Sequence, residues 1–174
     1  MRKLVAVAAG VLAILGVASA DVYVPGTTVS YDASREQTTG NNTGTVFLDE
    51  VNDTLNKTYV ELSCQGGAFV FYLNAKDPLY TLADYKAETL PTLRYRVDAG
   101  GPRTVETVTV GEDDKPDLNV LAVPDEFDAQ MLAAFRSGQS KMVIQVLRPG
   151  LRELTYTFPL KGLTQAIAAV KNCK

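Results

Sequence analysis

From Val46 onward the chain is written in a period of two, and that period limits what it can fold into more than any motif does. In "TYVELSC" (58–64), Val60, Leu62 and Cys64 fall on one face, and Tyr59, Glu61 and Ser63 on the other. Successive side chains of a strand point to opposite sides, so this alternation predicts a half-buried strand. "QGG" (65–67) then turns the chain into "AFVFYLNA" (68–75), a β-hairpin signal. "LRYRV" (93–97) places Leu93, Tyr95 and Val97 inward and Arg94 and Arg96 outward. "DAGGP" (98–102) reads as the next turn, and "RTVETVTV" (103–110) as one further strand. "KMVIQVL" (141–147) is nearly continuous in apolar residues, which predicts a central strand covered on both faces. "RPG" (148–150) leads into "LRELTYTF" (151–158), where Leu154, Tyr156 and Phe158 alternate with Thr155 and Thr157.

Two segments leave the period of two. In "PDEFDAQMLAAFRSG" (124–138), Phe127, Met131, Ala134 and Phe135 recur at helical spacing. Asp125 is the expected N-cap, Asp128 sits near the positive end, and Gly138 suits a left-handed C-terminal position. Near the other end, Leu163, Ala166, Ile167, Val170 and Cys173 form one stripe, predicting a helix near 163–172. Many short strands with turn signals and two short helices indicate a mainly β chain. The expected architecture is an antiparallel β-sandwich, or a β-rich α+β domain, over residues 46–174.

The residues before Val46 divide in two. Residues 1–20 have a basic start at Arg2 and Lys3, an apolar stretch, and Ala18-Ser19-Ala20 at the end. That is the layout of a secretory signal peptide, and the apolar stretch is short for a membrane span. Residues 21–45 are rich in Thr, Ser, Gly and Asn, and are expected to form one strand around Val22 to Val24 and a flexible arm.

Cleavage after Ala20 would leave 154 of the 174 residues, enough for a single core. Removing Arg2 and Lys3 from 17 basic residues leaves 15 against 20 acidic, a formal charge of −5. Nucleic-acid binding depends on clustered positive charge and is not expected. Nor does the remaining chain hold a run long enough to span a bilayer. Two cysteines in an exported chain are expected to pair as Cys64–Cys173, the alternative being two separate buried thiols.

The strongest chemical statement is an absence: the chain has no histidine. Ser-His-Asp triads, Cys-His dyads and histidine metal sites are therefore excluded. The sequence also lacks a nucleophile elbow, a P-loop, a dinucleotide fingerprint and a C-x-x-C motif. Paired carboxylates could support glycoside hydrolysis, and two groups qualify: Asp49, Glu50 and Asp53, or Glu112, Asp113, Asp114 and Asp117. The second group is a weak candidate for calcium, which wants several convergent oxygens. Nothing in the sequence brings two of them together across a cleft, so both groups read first as solvated loop charge, and "GEDDKPD" (111–117) is expected to be a solvated connection, not a domain boundary. Arg94, Arg96 and Arg103 could together meet a carboxylate or phosphate on a partner, or be ordinary polar-face charge. Asn41, Asn52 and Asn56 begin N-x-T sequons, which matter only in a glycosylating source.

The order "LSC", "FVFYLNA", "LRYRVDAG", then "TYTFPLKGLTQAIAAVKNC", resembles the small exported β-sandwich domains of Gram-negative envelopes. Among these are the type VI secretion-associated VasI/TagO-like proteins and, more distantly, the invasion-associated locus B proteins. Phe158, Gly162, Leu163, Ala166 and Cys173 fit those families' C-terminal helix, whose final cysteine pairs with one on a strand. The resemblance implies a non-catalytic accessory role in the periplasm or envelope. The expected function is thus a secreted or periplasmic binding domain without a cofactor, contacting another envelope protein or a cell-wall component. A histidine-free hydrolase and a structural envelope subunit are the alternatives.

Overall fold

The computed structural model describes residues 21–35, 40, 43–112, 115–171 and 173. The expected signal peptide, residues 1–20, lies outside them, as do Asn41, Asp113 and Asp114. In chain order the elements are β1 (Val22–Tyr23), β2 (Val29–Asp32), β3 (Thr45–Asp49), β4 (Tyr59–Gln65), β5 (Ala68–Asn74), α1 (Leu82–Lys86) and β6 (Thr92–Val97). Then come β7 (Arg103–Val105), β8 (Val108–Glu112), β9 (Lys115–Ala122), α2 (Asp125–Ser137), β10 (Lys141–Leu147), β11 (Leu154–Pro159) and α3 (Leu163–Ala169).

Among the described residues the strands form two antiparallel sheets. The larger has seven strands in the order β1-β2-β3-β4-β5-β9-β8, the smaller four in the order β11-β10-β6-β7. The fold is mainly β, as the alternation predicts. The β4–β5 hairpin turns at Gly66 and Gly67, with φ of 59° and 87°. Two positive φ angles in a row suit this hairpin turn and favour glycine at both places.

One core runs between the sheets. The large sheet contributes Val46, Leu48, Val60, Leu62, Phe71 and Leu73, the small one Leu93, Tyr95, Met142, Ile144, Val146 and Phe158, all buried. Four strands cannot cover seven, and the helices make up the difference. α3 lies against β2 and β3 with Leu163, Ala166 and Ile167 buried. α2 lies against β5, and its Phe135 ring meets Phe71 of the large sheet and Tyr95 of the small one at 5.9 and 5.8 Å between centroids.

Several expectations need correcting. "RTVETVTV" is two strands: β7 belongs to the small sheet and β8 to the large one. The chain crosses between them at Glu106 and Thr107, and Thr107 Oγ1 donates to the Pro91 carbonyl at 2.5 Å. Within 111–117, Gly111 and Glu112 of β8 pair with Pro116 and Lys115 of β9, and Gly111, Glu112, Lys115 and Asp117 are exposed, as a solvated connection would be. β10 lies between β6 and β11, but it alternates buried and half-buried residues, so only its inner face is fully covered. The arm before Val46 adds a second strand, β2, which pairs with β3 through Val29↔Leu48 and Tyr31↔Val46. Its own alternation, Val29 and Tyr31 against Ser30 and Asp32, is too short to stand out in a Thr/Ser-rich stretch.

At the helix ends, Pro124 and not Asp125 is the N-cap of α2. Gly138 is extended, with φ −73° and ψ 150°. A Cβ there would lie 2.3 Å from Leu160 and 2.6 Å from Val97, so glycine is needed for close packing, not for a left-handed turn. α1 was not expected, although Thr81 and Asp84 form its capping box.

Candidate functional site

The two cysteines are joined: Cys64 of β4 and Cys173 beyond α3 form a disulfide spanning 109 positions. Cys64 is buried on the inner face of β4. The bond therefore ties the end of the α3 stripe to the sheet it covers.

The arginines do not form one cluster. Arg94 and Arg96 point to the outer face of the small sheet. Arg94 Nε donates to Gln145 Oε1 at 2.9 Å, and its Nη2 lies 3.6 Å from Glu153. Both members of that ion pair are substantially exposed, so it contributes little stability. Arg103 pairs in register with Tyr95, an inward residue, and so leaves the sheet on the opposite face. The turn fixes this register, and the sequence alone does not display it.

The acidic groups are also separated by use. Glu50 accepts hydrogen bonds from the Asn52 amide at 2.7 Å and from the Thr157 amide at 3.2 Å, linking the end of β3 to β11. Asp53 accepts from the amides of Leu55 and Lys57, both at 3.0 Å, and closes its own loop. Asp49 lies on β3, and burial, then Asp53 and Asp21, pushes its carboxyl above the ordinary value. Glu112 and Asp117 sit on the two strands of the β8–β9 hairpin. Asp113 and Asp114 lie outside the described residues. Among the described residues no group of three His, Cys, Asp or Glu side chains is placed to hold a metal ion.

The site that sequence reasoning missed lies at β5. β9 pairs with β5 only at Tyr72, Leu73 and Asn74, then departs into α2. Ala68, Phe69 and Val70 keep β4 on one side and, among the described residues, have no strand on the other. The Phe71 amide, next in line, donates to Asp128 Oδ1 of α2 at 2.9 Å across 57 positions. Beside this half-open edge is a cleft of about 500 Å³, lined by Gln65, Val70, Tyr72, Val108, Asp125 and Asp128. Burial raises the Asp128 carboxyl above its ordinary value. The Phe71 hydrogen bond opposes that shift, and the nearby Asp125 adds to it.

The cleft opens onto the outer face of the large sheet, where Phe47, Glu61 and Tyr72 stand in one cross-strand row. Phe47 packs edge-on against Tyr59 at 5.8 Å between centroids, and Gln65 Nε2 donates to Tyr72 Oη at 2.8 Å. Burial raises the Glu61 carboxyl, partly offset by the Asn74 side chain. Phe47, Tyr59, Glu61 and Tyr72 are all half-buried. The signal in the sequence was the outer half of the alternation itself: Phe47, Tyr59 and Tyr72 are large for a solvated face.

Comparison with known protein families, curated proteins and solved structures found no match. Among the described residues no helix is long and apolar enough to cross a membrane.

Proposed function

We propose that this protein is an exported, non-catalytic binding domain of the cell envelope that holds an extended segment of another envelope protein along β5. The half-open edge at Ala68, Phe69 and Val70, facing the cleft of about 500 Å³, carries the reading. An extended peptide can add to such an edge through main-chain hydrogen bonds while its side chains enter the adjoining cleft. Export is supported by the layout of residues 1–20 and by the Cys64–Cys173 disulfide, which suits an oxidising compartment. A hydrolase would need two carboxylates free to act across the cleft. Asp128 is instead tied to the Phe71 amide, Glu50 to the amides of Asn52 and Thr157, and Asp53 to the amides of its own loop.

Site-directed photocrosslinking tests this in intact envelopes. A benzophenone side chain at Val70 is expected to capture one discrete partner, and one at Thr104 on the small sheet is not. A Val70→Lys substitution, which places a charge beside the open edge, should abolish co-purification of that partner. Equal labelling from both positions, or none from Val70, counts against the proposal.

A further inference from the structure

The charged side chains along the β5 cleft are all of one sign. Asp125 and Asp128 line it, and no lysine or arginine does. They stand three apart in α2, so they are neighbours on the helix surface. Among the described residues neither takes part in an ion pair.

Helix polarity accounts for acidic residues in a first turn, and Asp125, Glu126 and Asp128 all lie there. It does not account for the burial of one of them. Asp128 is only 8 % exposed. Its Oδ1 accepts from the Phe71 amide, while no described group donates to its Oδ2. A buried carboxylate is costly unless it is paired, and buried oxygens nearly always have donors. Beside a cleft, such an oxygen points to a donor from outside. Asp125 is exposed and caps nothing, since Pro124 is the N-cap of α2 and no side chain there makes a capping bond.

The strand edge sets how that donor arrives. Phe71 turns its N–H toward α2, and alternate residues of a strand turn theirs to the same side. The N–H and C=O of Phe69 therefore also point away from β4, toward the place that β9 has left. A segment paired there sets the side chain opposite Val70 on the face of Val70, and Val70 lines the cleft. Val70, Tyr72 and Val108 supply an apolar wall for a long stem, and the two carboxylates a place for a charged tip. The cleft of about 500 Å³ has room for one such side chain.

We infer that the segment held along β5 carries a lysine or arginine opposite Val70, whose cationic tip enters the cleft and is bound by Asp125 and Asp128. This rests on the proposed function, because it names the chemistry of the segment that the proposal places on the same edge.

The test is an NMR titration of the disulfide-bonded protein at the Ala68, Phe69 and Val70 amides. The probes are three blocked pentapeptides of the form Thr-Val-X-Val-Thr, with lysine, norleucine or glutamate at X. The lysine probe is expected to bind about tenfold or more tightly than the norleucine probe, the scale of a hydrogen bond to a charged group. The glutamate probe should be the weakest of the three. In the Asp125→Asn, Asp128→Asn variant, which keeps an acceptor for the Phe71 amide, the lysine and norleucine probes should bind alike. Asp125→Asn alone, on an exposed side chain, should remove part of the preference without touching the fold. Equal binding of the lysine and norleucine probes to wild type, or a lysine preference that survives these substitutions, would overturn the inference and leave the open edge as a docking site. No saturable shift from any probe would overturn it as well, and the Val70 crosslink then decides the proposed function separately.

Discussion

α2 and α3 both cover the large sheet, and they hold to it by different means. α2 presents large side chains: Met131, Leu132 and Phe135 are buried, and Phe135 touches rings from both sheets. α3 is only seven residues long, and two of its three buried side chains, Leu163, Ala166 and Ile167, are aliphatic chains larger than alanine. A short helix is marginal by itself, and a stripe of this kind buries limited apolar area. The disulfide at Cys173 and the tight seat of Gly162 compensate. Where one helix is held by packing, the other is held by covalent and steric constraints.

The largest expected effect comes from breaking the staple. Closing a loop of 109 positions is worth about 4–5 kcal/mol in the chain-entropy picture, so a Cys64→Ala, Cys173→Ala variant should lose about that much in denaturant unfolding. A loss near zero would mean that the α3 stripe holds unaided, and the contrast between the helices would fail. Next comes Phe135→Ala, which removes the ring between Phe71 and Tyr95 and should cost about 3–4 kcal/mol under the same conditions. If it costs under about 1 kcal/mol, α2 is not held by its aromatic contact.

Gly162 gives a smaller effect. Its φ is 96°, and a Cβ there would lie 2.9 Å from Thr27 Oγ1 and 3.1 Å from Val24 Cγ1. Gly162→Ala should cost about 2 kcal/mol through strain and crowding against the N-terminal arm, measured by thermal melting. The smallest effect is on α2's polar tie. The folded state raises the Asp128 carboxyl above its ordinary 3.8. The folded protein therefore holds that proton to higher pH than the unfolded chain does. Stability from this group falls as pH rises from about 4 through the folded-state value. Asp128→Asn keeps an acceptor for the Phe71 amide and should flatten that slope with little loss at neutral pH. Asp128→Ala leaves the amide unpaired and should cost about 1–3 kcal/mol. Urea melts across pH distinguish the two.

Strand existence was legible because inner-face alternation and glycine turns are local signals: Val60, Leu62 and Cys64, then Gly66 and Gly67, mark β4 and its hairpin without help from the rest of the chain. What was not legible depended on register or on long-range pairing. Arg103 follows Arg94 and Arg96 closely in sequence, but the turn at 98–102 sets it opposite Tyr95 and so on the other face. The β7–β8 run is rich in Val and Thr with no Gly or Pro to break it, and only its sharing between two sheets divides it at Glu106 and Thr107. The half-open edge of β5 was invisible for the same reason, since it exists only because β9 leaves β5 for α2. The pairing of Cys64 with Cys173 was readable from an even count of two, whereas the Asp128 bond to Phe71 joins residues that no sequence pattern connects.

The position of the staple also sets an order of events. Cys173 follows all the strands of both sheets in the described chain. Synthesis runs from the N-terminus, so every described strand has been made before the second thiol appears. Cys64, on the inner face of β4, therefore has no partner in the chain until synthesis reaches Cys173. The bond can form only once nearly all of the described chain has been made. A chaperone or oxidant that reached Cys64 early would meet a partnerless thiol.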